Sequence, residues 1–443
     1  MDGVVILVDN KVRDLNSAAL IAHHIRRAGI ECHLEPLEAY RAVLAAYKPS
    51  MIVFNHLTAS HLAAFSNRLH EIGVSTAVLP NEGIAYGDDV LEYSAGRYHR
   101  NAHIDYFFCW NEHHRGALKR HGFDDQTRIE VVGVPRFDFY FKPWDAIVRG
   151  PAPQRRSGRP RVLVCTNFIF AQYHGLPKEA TDKVFAPWIG KVKVYDDYQA
   201  AIDVHWRSRQ KLLDYLDALI VDGGFDITLR PHPSEDRRFY TDWLGSLSPE
   251  QRENISFDPN SSITALILNC DLEVSCETCL TALESWIIQK PTIELEFEGH
   301  SMFHRPEHAR NNVPCGEPSA LPALIRAQLE NVSPELRERQ KRHLQEWCAS
   351  PNGDSAKRLA NVVIEAVKTK RPADWSKLSA SDHRRGWKLK FWRALGHAYH
   401  YDPFLTLKSI LFKDRYKIKK NTYAKSIRPV DVERAIKRFA IIT

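Results

Sequence analysis

Short apolar runs alternate with amphipathic helical patterns over the first 145 residues or so, and this alternation constrains the fold more than any other feature. Strands that alternate with helices predict βαβ units and a parallel sheet. Right-handed crossovers bring the carboxyl ends of such strands to one edge. The predicted strands are Val4–Val8, Cys32–Pro36, Met51–Phe54, Ser75–Leu79, Tyr106–Trp110 and Ile129–Val132, with helices such as Asn16–Arg27 and Ala59–Glu71 between them.

A second series of the same kind follows Gly150–Pro160, a segment rich in Pro, Gly and Arg that is typical of an interdomain linker. The sequence therefore predicts an α/β protein with two tandem Rossmann-like domains facing a cleft. We expect these domains in residues 1–148 and 161–370, with a linker at 149–160 and a basic, aromatic, helical tail at 371–443. The strands of the second series are Arg161–Cys165, Asp226–Leu229, Ile255–Phe257, Leu272–Val274 and Thr292–Leu295, and its longest helix is Ala200–Val221.

Two patterns bear on cellular location. No run of eighteen apolar residues is present, so no transmembrane helix is expected, and the amino terminus lacks the basic region of a signal peptide. The eight cysteines are then expected to be free thiols in the cytoplasm. Cys276 and Cys279 form a C-x-x-C pattern without a second pair, which favours a tight strand-to-helix turn over a zinc or redox site.

The positive charge of the chain is concentrated in the tail. Residues 381–443 contain 16 Lys/Arg and 5 Asp/Glu, a net charge of +11, whereas the whole chain carries +7. Aromatic and basic residues interleave in Trp387–Arg393, Phe404–Phe412 and Lys417–Lys420. This pattern predicts contact with an anionic membrane surface, a helical subdomain packed on the body, or both. No nucleic-acid-binding module is recognisable, and nucleic acid is not an expected partner.

The segment Asp226–Pro233, DITLRPHP, places Arg230 and His232 at the carboxyl end of a predicted buried strand. In open α/β sheets, ligands bind at this edge. Two prolines fix the backbone there, so an anion such as phosphate is the group that this cation and imidazole suit. The alternative is a plain strand-to-turn exit with a solvated histidine.

Further polar residues follow other predicted strands. Glu82, in Asn-Glu-Gly, follows Ser75–Leu79 and is a candidate general base, or else a solvated residue in a glycine turn. Asn167 follows the first strand of the second domain. At Ser275–Thr281, a strand turns into a helix whose amino terminus is suited to bind an anion, and Glu284 follows one turn later. Gly133–Arg136 is either a plain domain-crossing turn or a source of a cleft-facing arginine.

Several chemistries have no matching motif. The chain lacks the Walker A and dinucleotide-binding glycine patterns and the nucleophile elbow of α/β-hydrolases. It also lacks Asp-x-Asp, the metal-chelating signature of single-domain nucleotide-sugar enzymes. We therefore expect no metal and no cofactor beyond an activated donor.

In their order and spacing, five of these segments resemble the GT-B glycosyltransferases of bacterial surface polysaccharide assembly. The likeness extends to the related sialyl- and Kdo-transferases that use CMP-sugars, and it spans about residues 1–370. The segments are Glu82-Gly83, Gly133–Arg136, Thr166–Phe168, Arg230–Pro233 and Ser275–Pro291. Asn-Glu-Gly stands where two acidic residues before the glycine are expected. Cys276–Cys279 stands where small hydroxyl residues are commoner.

The resemblance implies roles for individual residues. Glu82 and His232 would be catalytic, Glu82 as acid/base and His232 at the donor phosphate. Arg230, His232, Ser275, Thr278, Glu284 and Asn167 would bind a nucleotide-sugar, expected to be CMP-linked.

The implied function is metal-independent sugar transfer to a surface polysaccharide or lipid-linked glycan, on the inner face of the plasma membrane. The alternatives are a CDP-glycerol or CDP-ribitol polyol-phosphate transferase and a non-catalytic polysaccharide-assembly protein.

Overall fold

The computed structural model describes residues 3–84, 88–98, 101–123, 125–150, 158–369, 372–412 and 426–442. The chain divides into two compact units. The first contains Met1–Ala85, Ser94–Ile147 and Glu346–Thr443, and the second contains Tyr86–Tyr93 and Val148–Gln345. Most of the predicted linker, at 151–157, and the basic run Lys417–Lys420 lie outside the described residues. No helix in the described part of the chain is long and apolar enough to cross a membrane.

The first unit is built on a parallel sheet of six strands in the order β2-β1-β3-β4-β5-β6. Its interior strand β1 is buried at every position, as expected for a strand covered by helices on both faces. The strand order reverses between β1 and β3, and in such sheets this reversal marks the ligand-binding point. The strands are β1 Gly3–Val8, β2 Glu31–Pro36, β3 Met51–Phe54, β4 Ser75–Val78, β5 Tyr106–Cys109 and β6 Arg128–Val131.

The second unit is built on a second parallel sheet of six strands in the order β12-β11-β10-β7-β8-β9. Its core combines apolar side chains of the sheet with those of the long helix Tyr198–Asp222. Here the order reverses between β7 and β10. The strands are β7 Arg161–Cys165, β8 Asp226–Arg230, β9 Ile255–Phe257, β10 Leu272–Cys276, β11 Thr292–Leu295 and β12 Val313–Cys315.

Helices cover both sheets and make up the described carboxyl-terminal part of the chain. In chain order they are α1 Leu15–Arg27, α2 Tyr40–Tyr47, α3 Ser60–Ile72, α4 Asp88–Gly96, α5 Glu112–Arg120, α6 Asp145–Arg149, α7 Lys178–Phe185, α8 Tyr198–Asp222, α9 Arg237–Ser246, α10 Pro249–Arg252, α11 Ile263–Asn269, α12 Leu280–Ile287, α13 Pro306–Ala309, α14 Leu321–Glu330, α15 Pro334–Cys348, α16 Ser355–Thr369, α17 Ala380–Ala394, α18 Leu405–Leu411 and α19 Pro429–Ile442.

The carboxyl-terminal helices belong to the first unit. Helices α16 and α19 pack on α1, and α17 packs on α2. The buried carboxylate of Asp138 accepts hydrogen bonds from the backbone N–H groups of Ser355 (3.0 Å) and Ala356 (2.7 Å), and so caps α16. The sequence places the end of the second domain at residue 370, whereas the second unit ends at Gln345. The difference arises because the apolar faces of these helices fit α1 and α2.

Candidate functional site

The reversal point of the second sheet carries polar residues from two neighbouring strands. Asn167 lies two residues beyond the end of β7, and Glu277 directly follows β10. The Asn167 Nδ2 group donates a hydrogen bond to the Glu277 carbonyl oxygen at 3.4 Å, which joins the two strand ends. Polar groups from β7 and β10 therefore lie side by side at the carboxyl edge of this sheet. In open α/β sheets, nucleotides bind at the point where the strand order reverses.

His232 lies on the loop after β8, along the same edge, and is half-buried. Its Nδ1 atom accepts a hydrogen bond from the Ser234 backbone N–H at 3.2 Å. Burial, with a further contribution from Arg230, lowers the pKa of His232 to about 4. The ring is therefore neutral at pH 7, and the Nδ1 acceptor assigns its single proton to Nε2. A neutral Nε2–H group can donate a hydrogen bond to a phosphate oxygen.

The buried carboxylate of Glu235 holds this edge together. Its Oε1 atom accepts hydrogen bonds from the Thr166 hydroxyl (2.6 Å) and the His232 backbone N–H (3.1 Å). Its Oε2 atom accepts one from the Tyr240 hydroxyl on α9. Glu235 thus links the segment after β7, the His232 loop and a helix. Burial raises the pKa of this carboxyl above its ordinary value.

The predicted donor-binding residues fall into two groups by exposure. Asn167, Arg230 and His232 are half-buried along the carboxyl edge, and the Arg230 Nη1 group donates to the Asp258 carbonyl at 3.4 Å. Ser275, Thr278 and Glu284 expose only 0%, 6% and 6% of their surface. The structure therefore brings the first group together at an accessible edge and leaves the second group inside the protein.

Thr278 stabilises the turn between β10 and α12. Its hydroxyl donates to the Phe303 carbonyl and accepts from the Arg305 backbone N–H, and its own N–H donates to Glu294 at 2.6 Å. Glu277 and Thr278 both adopt the left-handed conformation, with φ values of 52° and 50°. These contacts give Thr278 a role in fixing the turn.

Buried acids surround this turn. Burial raises the pKa of Glu273 and Glu294 to about 8 and that of Glu277 to about 7. The Glu273 Oε1 atom accepts a hydrogen bond from the Thr281 hydroxyl at 2.7 Å. A neutral, hydrogen-bonded acid can be buried at far lower cost than a carboxylate.

The first unit has a pocket at the reversal point of its own sheet, between β1 and β3. Its polar wall contains Arg13, Asp14, Ser17, Asn55, Asn81 and Arg136. The Asn55 Nδ2 group donates to the Asn81 Oδ1 atom at 2.8 Å. Its Oδ1 atom has no hydrogen-bond partner in the described part of the chain, although the side chain is buried. Because Asp14 in the same wall pairs with Arg13 at 2.6 Å, the pocket offers the Arg136 guanidinium and an amide acceptor to a ligand.

Glu82 lies beside this pocket with 65% of its side chain exposed. Its Oε1 atom is 3.6 Å from Nη1 of Arg13, a guanidinium that also contacts Asp9 and Asp14. The next residue, Gly83, is required by close packing, since a Cβ atom there would come within 2.5 Å of the Trp110 ring. The exposed carboxylate therefore stands on a backbone that is tightly held.

Gly133–Arg136 also belongs to this edge. The Arg136 guanidinium carbon lies 4.8 Å from the Trp110 ring centroid, and its Nη1 group donates to the Asn81 carbonyl at 3.3 Å. Arg136 thus lies in the wall of the first-unit pocket.

One group of described residues could hold a metal ion. The ligand atoms of His70, His103 and Asp105 lie within 4.8 Å of one another. Asp105 immediately precedes β5, so this group lies at the amino edge of the first sheet, the opposite edge from the pocket. Cys276 and Cys279 are free thiols, and burial raises the pKa of both well above neutrality.

Three residues that shape these edges are not predicted from the sequence: Arg13, Asn55 and Glu235. Arg13 and Asn55 follow β1 and β3, so applying the strand-end rule to these two strands would have identified both. Glu235 carries no such signal, because its role depends on three segments that meet only in the fold.

Comparison with known proteins shows the fold. A scan of protein families gives no matching family, and a search of curated proteins gives no match. Among solved structures, a putative UDP-N-acetylglucosamine 2-epimerase from Listeria monocytogenes is 13% identical with a TM-score of 0.51, covering 85% of this chain and 100% of its own. A structure of MnaA with UDP from S. aureus is 11% identical with a TM-score of 0.49, covering 85% and 100%.

The wall teichoic acid polymerase TagF is 11% identical with a TM-score of 0.47, covering 83% of this chain and 89% of its own. At these identities the likeness is one of fold. The predicted class, two tandem Rossmann-like α/β domains of the GT-B kind, is confirmed by the first of these matches and by the two parallel sheets.

Proposed function

We propose that this protein is a glycosyltransferase that moves a sugar from a nucleotide-activated donor to a surface polysaccharide or a lipid-linked glycan. The observation that carries the proposal is the neutral His232 ring at the carboxyl edge of the second sheet, with its proton assigned to Nε2. A fixed hydrogen-bond donor at this position suits the phosphate of a nucleotide.

In this proposal the second unit binds the donor. His232 donates a hydrogen bond to a phosphate oxygen, Arg230 supplies positive charge, and Glu235 positions the His232 loop through its backbone hydrogen bond. Charge that develops on the leaving phosphate is balanced by these groups without a metal ion. The resemblance to sialyl- and Kdo-transferases favours a CMP-linked sugar as the donor.

The first unit binds the acceptor in this proposal. Arg136 in the wall of its pocket suits an acceptor that carries an anionic group, whereas Arg13 is already paired with Asp14. Glu82 acts as the general base and takes the proton of the acceptor hydroxyl, whose oxygen then attacks the sugar. The exposure of Glu82 is compatible with this role because a catalytic carboxylate must reach the substrate.

Nucleotide binding tests the donor site. We expect CMP to bind the wild-type protein, measured by isothermal titration calorimetry, and His232→Ala to weaken binding at least tenfold. His61→Ala, which removes an exposed histidine of the first unit, should leave the affinity unchanged. Parallel titrations with CDP and UDP identify the preferred nucleotide. If none of the three binds, or if His232→Ala binds as tightly as the wild type, the donor site is wrong.

Turnover assays test the chemistry and separate the candidate donors. CMP-Kdo, CMP-sialic acid and CDP-glycerol are supplied in turn, and release of CMP is followed with and without a glycan acceptor. We expect Glu82→Gln to lower turnover by roughly 10²- to 10⁴-fold while nucleotide binding is retained. Glu71→Gln is the exposed control.

A preference for CDP-glycerol would make the protein a polyol-phosphate transferase. Full polymer synthesis in cells by both Glu82→Gln and His232→Ala would instead indicate a non-catalytic assembly protein.

A further inference from the structure

Exposed apolar side chains are concentrated in one short part of the chain. Of fifteen large hydrophobic residues exposed among the described residues, eight lie between positions 387 and 412. Isolated exposed apolar residues are normal on a protein surface, whereas a cluster marks an interaction site. The eight residues are Trp387, Phe391, Leu395, Phe404, Leu407, Ile410, Leu411 and Phe412.

Helix α17 contributes two different faces. Its inner face carries Asp382, Gly386 and Leu389, all buried against the body of the first unit. Asp382 forms an ion pair with Arg68, and Gly386 lies against the backbone of Ala45 and Ala46 in α2. The contacts of the inner face therefore hold α17 in one orientation on the first unit, and the opposite face of the helix is directed to solvent.

The outer face of α17 is both aromatic and basic. Trp387 and Phe391 stack with their ring centroids 5.3 Å apart and 67% and 42% of their surface exposed. The exposed cations Arg384, Lys388 and Lys390 flank this pair.

Helix α18 continues the apolar surface, because only Leu405 is buried and four apolar residues of Leu407–Phe412 are exposed. We use the term outer face for the exposed residues of α17 together with Phe404 and those of α18.

Opposite charges do not neutralise this surface. Between residues 384 and 412 the chain has six Lys/Arg and one acidic residue, Asp402. Asp382 is fully buried, and although burial opposes it, hydrogen bonds from Arg68 and Ser379 lower the pKa of its carboxyl to about 2. The outer face is thus positively charged and apolar at once.

We propose that the outer face binds the surface of an anionic lipid bilayer. Aromatic rings at headgroup depth, with cations beside them, are the features of a helix that lies in the membrane interface. A second copy of this chain is a poor occupant, since pairing two such faces would bring like charges together. The proposal goes beyond the transferase activity and does not depend on it.

The structure narrows the membrane contact that the sequence predicts for the whole of residues 381–443. Helix α19 buries Val432, Ala435 and Phe439, and the ring of Phe439 lies among His23, Phe139 and Trp144. Residues 413–425 lie outside the described part of the chain. The proposal therefore rests on α17 and α18 alone, and the exposed cations of α19 become a control.

Vesicle flotation tests this proposal without donor or acceptor, so its failure and that of the proposed function are distinguishable. The full-length protein is mixed with vesicles of phosphatidylcholine alone or with 30% phosphatidylserine, about the range of an anionic membrane surface. We expect it to float with the anionic vesicles and not with the neutral ones. The double substitutions W387S/F391S and K388E/K390E should each weaken binding at least tenfold.

Matched substitutions control for apolarity and charge. Val221→Ser removes a valine that is 82% exposed on α8, and R434E/K437E reverses two exposed charges on α19. Both variants should float like the wild type. All variants should keep the wild-type unfolding midpoint, because the altered side chains are exposed. Absence of flotation by the wild type, equal loss in the controls, or binding of RNA in place of vesicles would overturn the proposal.

Discussion

At the scale of single residues, the side chain of Glu235 holds three segments together at the candidate binding edge. Its carboxylate accepts hydrogen bonds from Thr166, His232 and Tyr240, which belong to three different segments. The His232 ring then receives its own hydrogen bond from Ser234. Backbone and ring are thus fixed separately, and the Nε2–H direction is set before any ligand arrives.

Replacing Glu235 should separate hydrogen bonding from charge. Glu235→Ala removes the acceptor of the Thr166 hydroxyl and of the His232 backbone N–H, while Tyr240 keeps only the Thr166 hydroxyl oxygen at 3.2 Å. We expect a loss of roughly 2–4 kcal/mol in the free energy of unfolding. Glu235→Gln keeps an acceptor oxygen for Thr166 and His232 and an amide for Tyr240, so its loss should be under about 1 kcal/mol. Urea unfolding measures both. Equal losses would show that charge, and not hydrogen bonding, is what matters at this position.

Glu273 should make stability depend on pH. Its pKa is about 8 in the folded protein against an ordinary value of 4.5, so between these pH values the folded state holds a proton that the unfolded chain has released. The associated stability is complete below about pH 4.5 and is lost as the pH rises through 8. Glu273→Gln, which cannot ionise, should therefore gain stability relative to the wild type as the pH is raised.

Thermal unfolding at pH 5.5, 7.0 and 8.5 measures this effect. We expect the midpoint of Glu273→Gln to rise relative to the wild type by several degrees between the first and the last pH. Glu253→Gln, at an exposed position, should follow the wild-type profile. Parallel profiles for Glu273→Gln and the wild type would show that this carboxyl is ionised in the fold.

At the scale of elements, the sequence pattern predicts the bounds of strands that are buried along most of their length. The strands Met51–Phe54, Arg161–Cys165 and Thr292–Leu295 have the predicted bounds, because each is a short, mostly apolar run between turn residues. Strand β12 is not predicted, since it has three residues and one is Pro314. Strand-end reasoning identified Asn167 and His232 at the edge. The burial of Ser275, Thr278 and Glu284 depends on neighbouring strands and loops, which no local pattern encodes.

Helix α17 requires a glycine where it meets α2. A Cβ atom at Gly386 would lie 2.8 Å from the Ala46 nitrogen and 3.0 Å from the Ala45 carbonyl carbon. Gly386→Ala should therefore destabilise the protein by about 1–2 kcal/mol, because overpacking outweighs the gain in helix propensity. Gly245→Ala, at a helical glycine with open space around it, should be neutral or stabilising. Chemical denaturation of both variants checks the contrast, and equal effects would argue against tight packing of α17.

At the scale of the whole molecule, the chain leaves the first unit and returns to it. Residues 148–345 form most of the second unit without interruption, whereas the first unit combines residues from both ends of the sequence. The two interpretations of the tail that the sequence left open, contact with a membrane and packing on the body, are compatible with this structure. The inner face of α17 packs on the body, and its outer face is exposed.

Removal of residues 381–443 should therefore damage the first unit alone. The truncation uncovers the surfaces of α1 and α2 on which α19 and α17 pack. We expect faster amide hydrogen exchange in α1 and α2 and unchanged exchange in β7, β8 and β10, measured by mass spectrometry. Accelerated exchange throughout the chain would mean that the two units unfold together. Because truncation perturbs the fold, point substitutions are the better test of membrane binding.

The packing of α1 has a consequence for synthesis of the protein. This helix is complete by residue 27, yet two of its partners are α16, which begins at Ser355, and α19, which ends at Ile442. During translation, all residues of the second unit have been added before α16 and α19 exist. Until then, the surface of α1 on which these two helices pack remains uncovered. Translation of α19 completes this cover, and a product that stops before α19 leaves part of the apolar surface of α1 exposed.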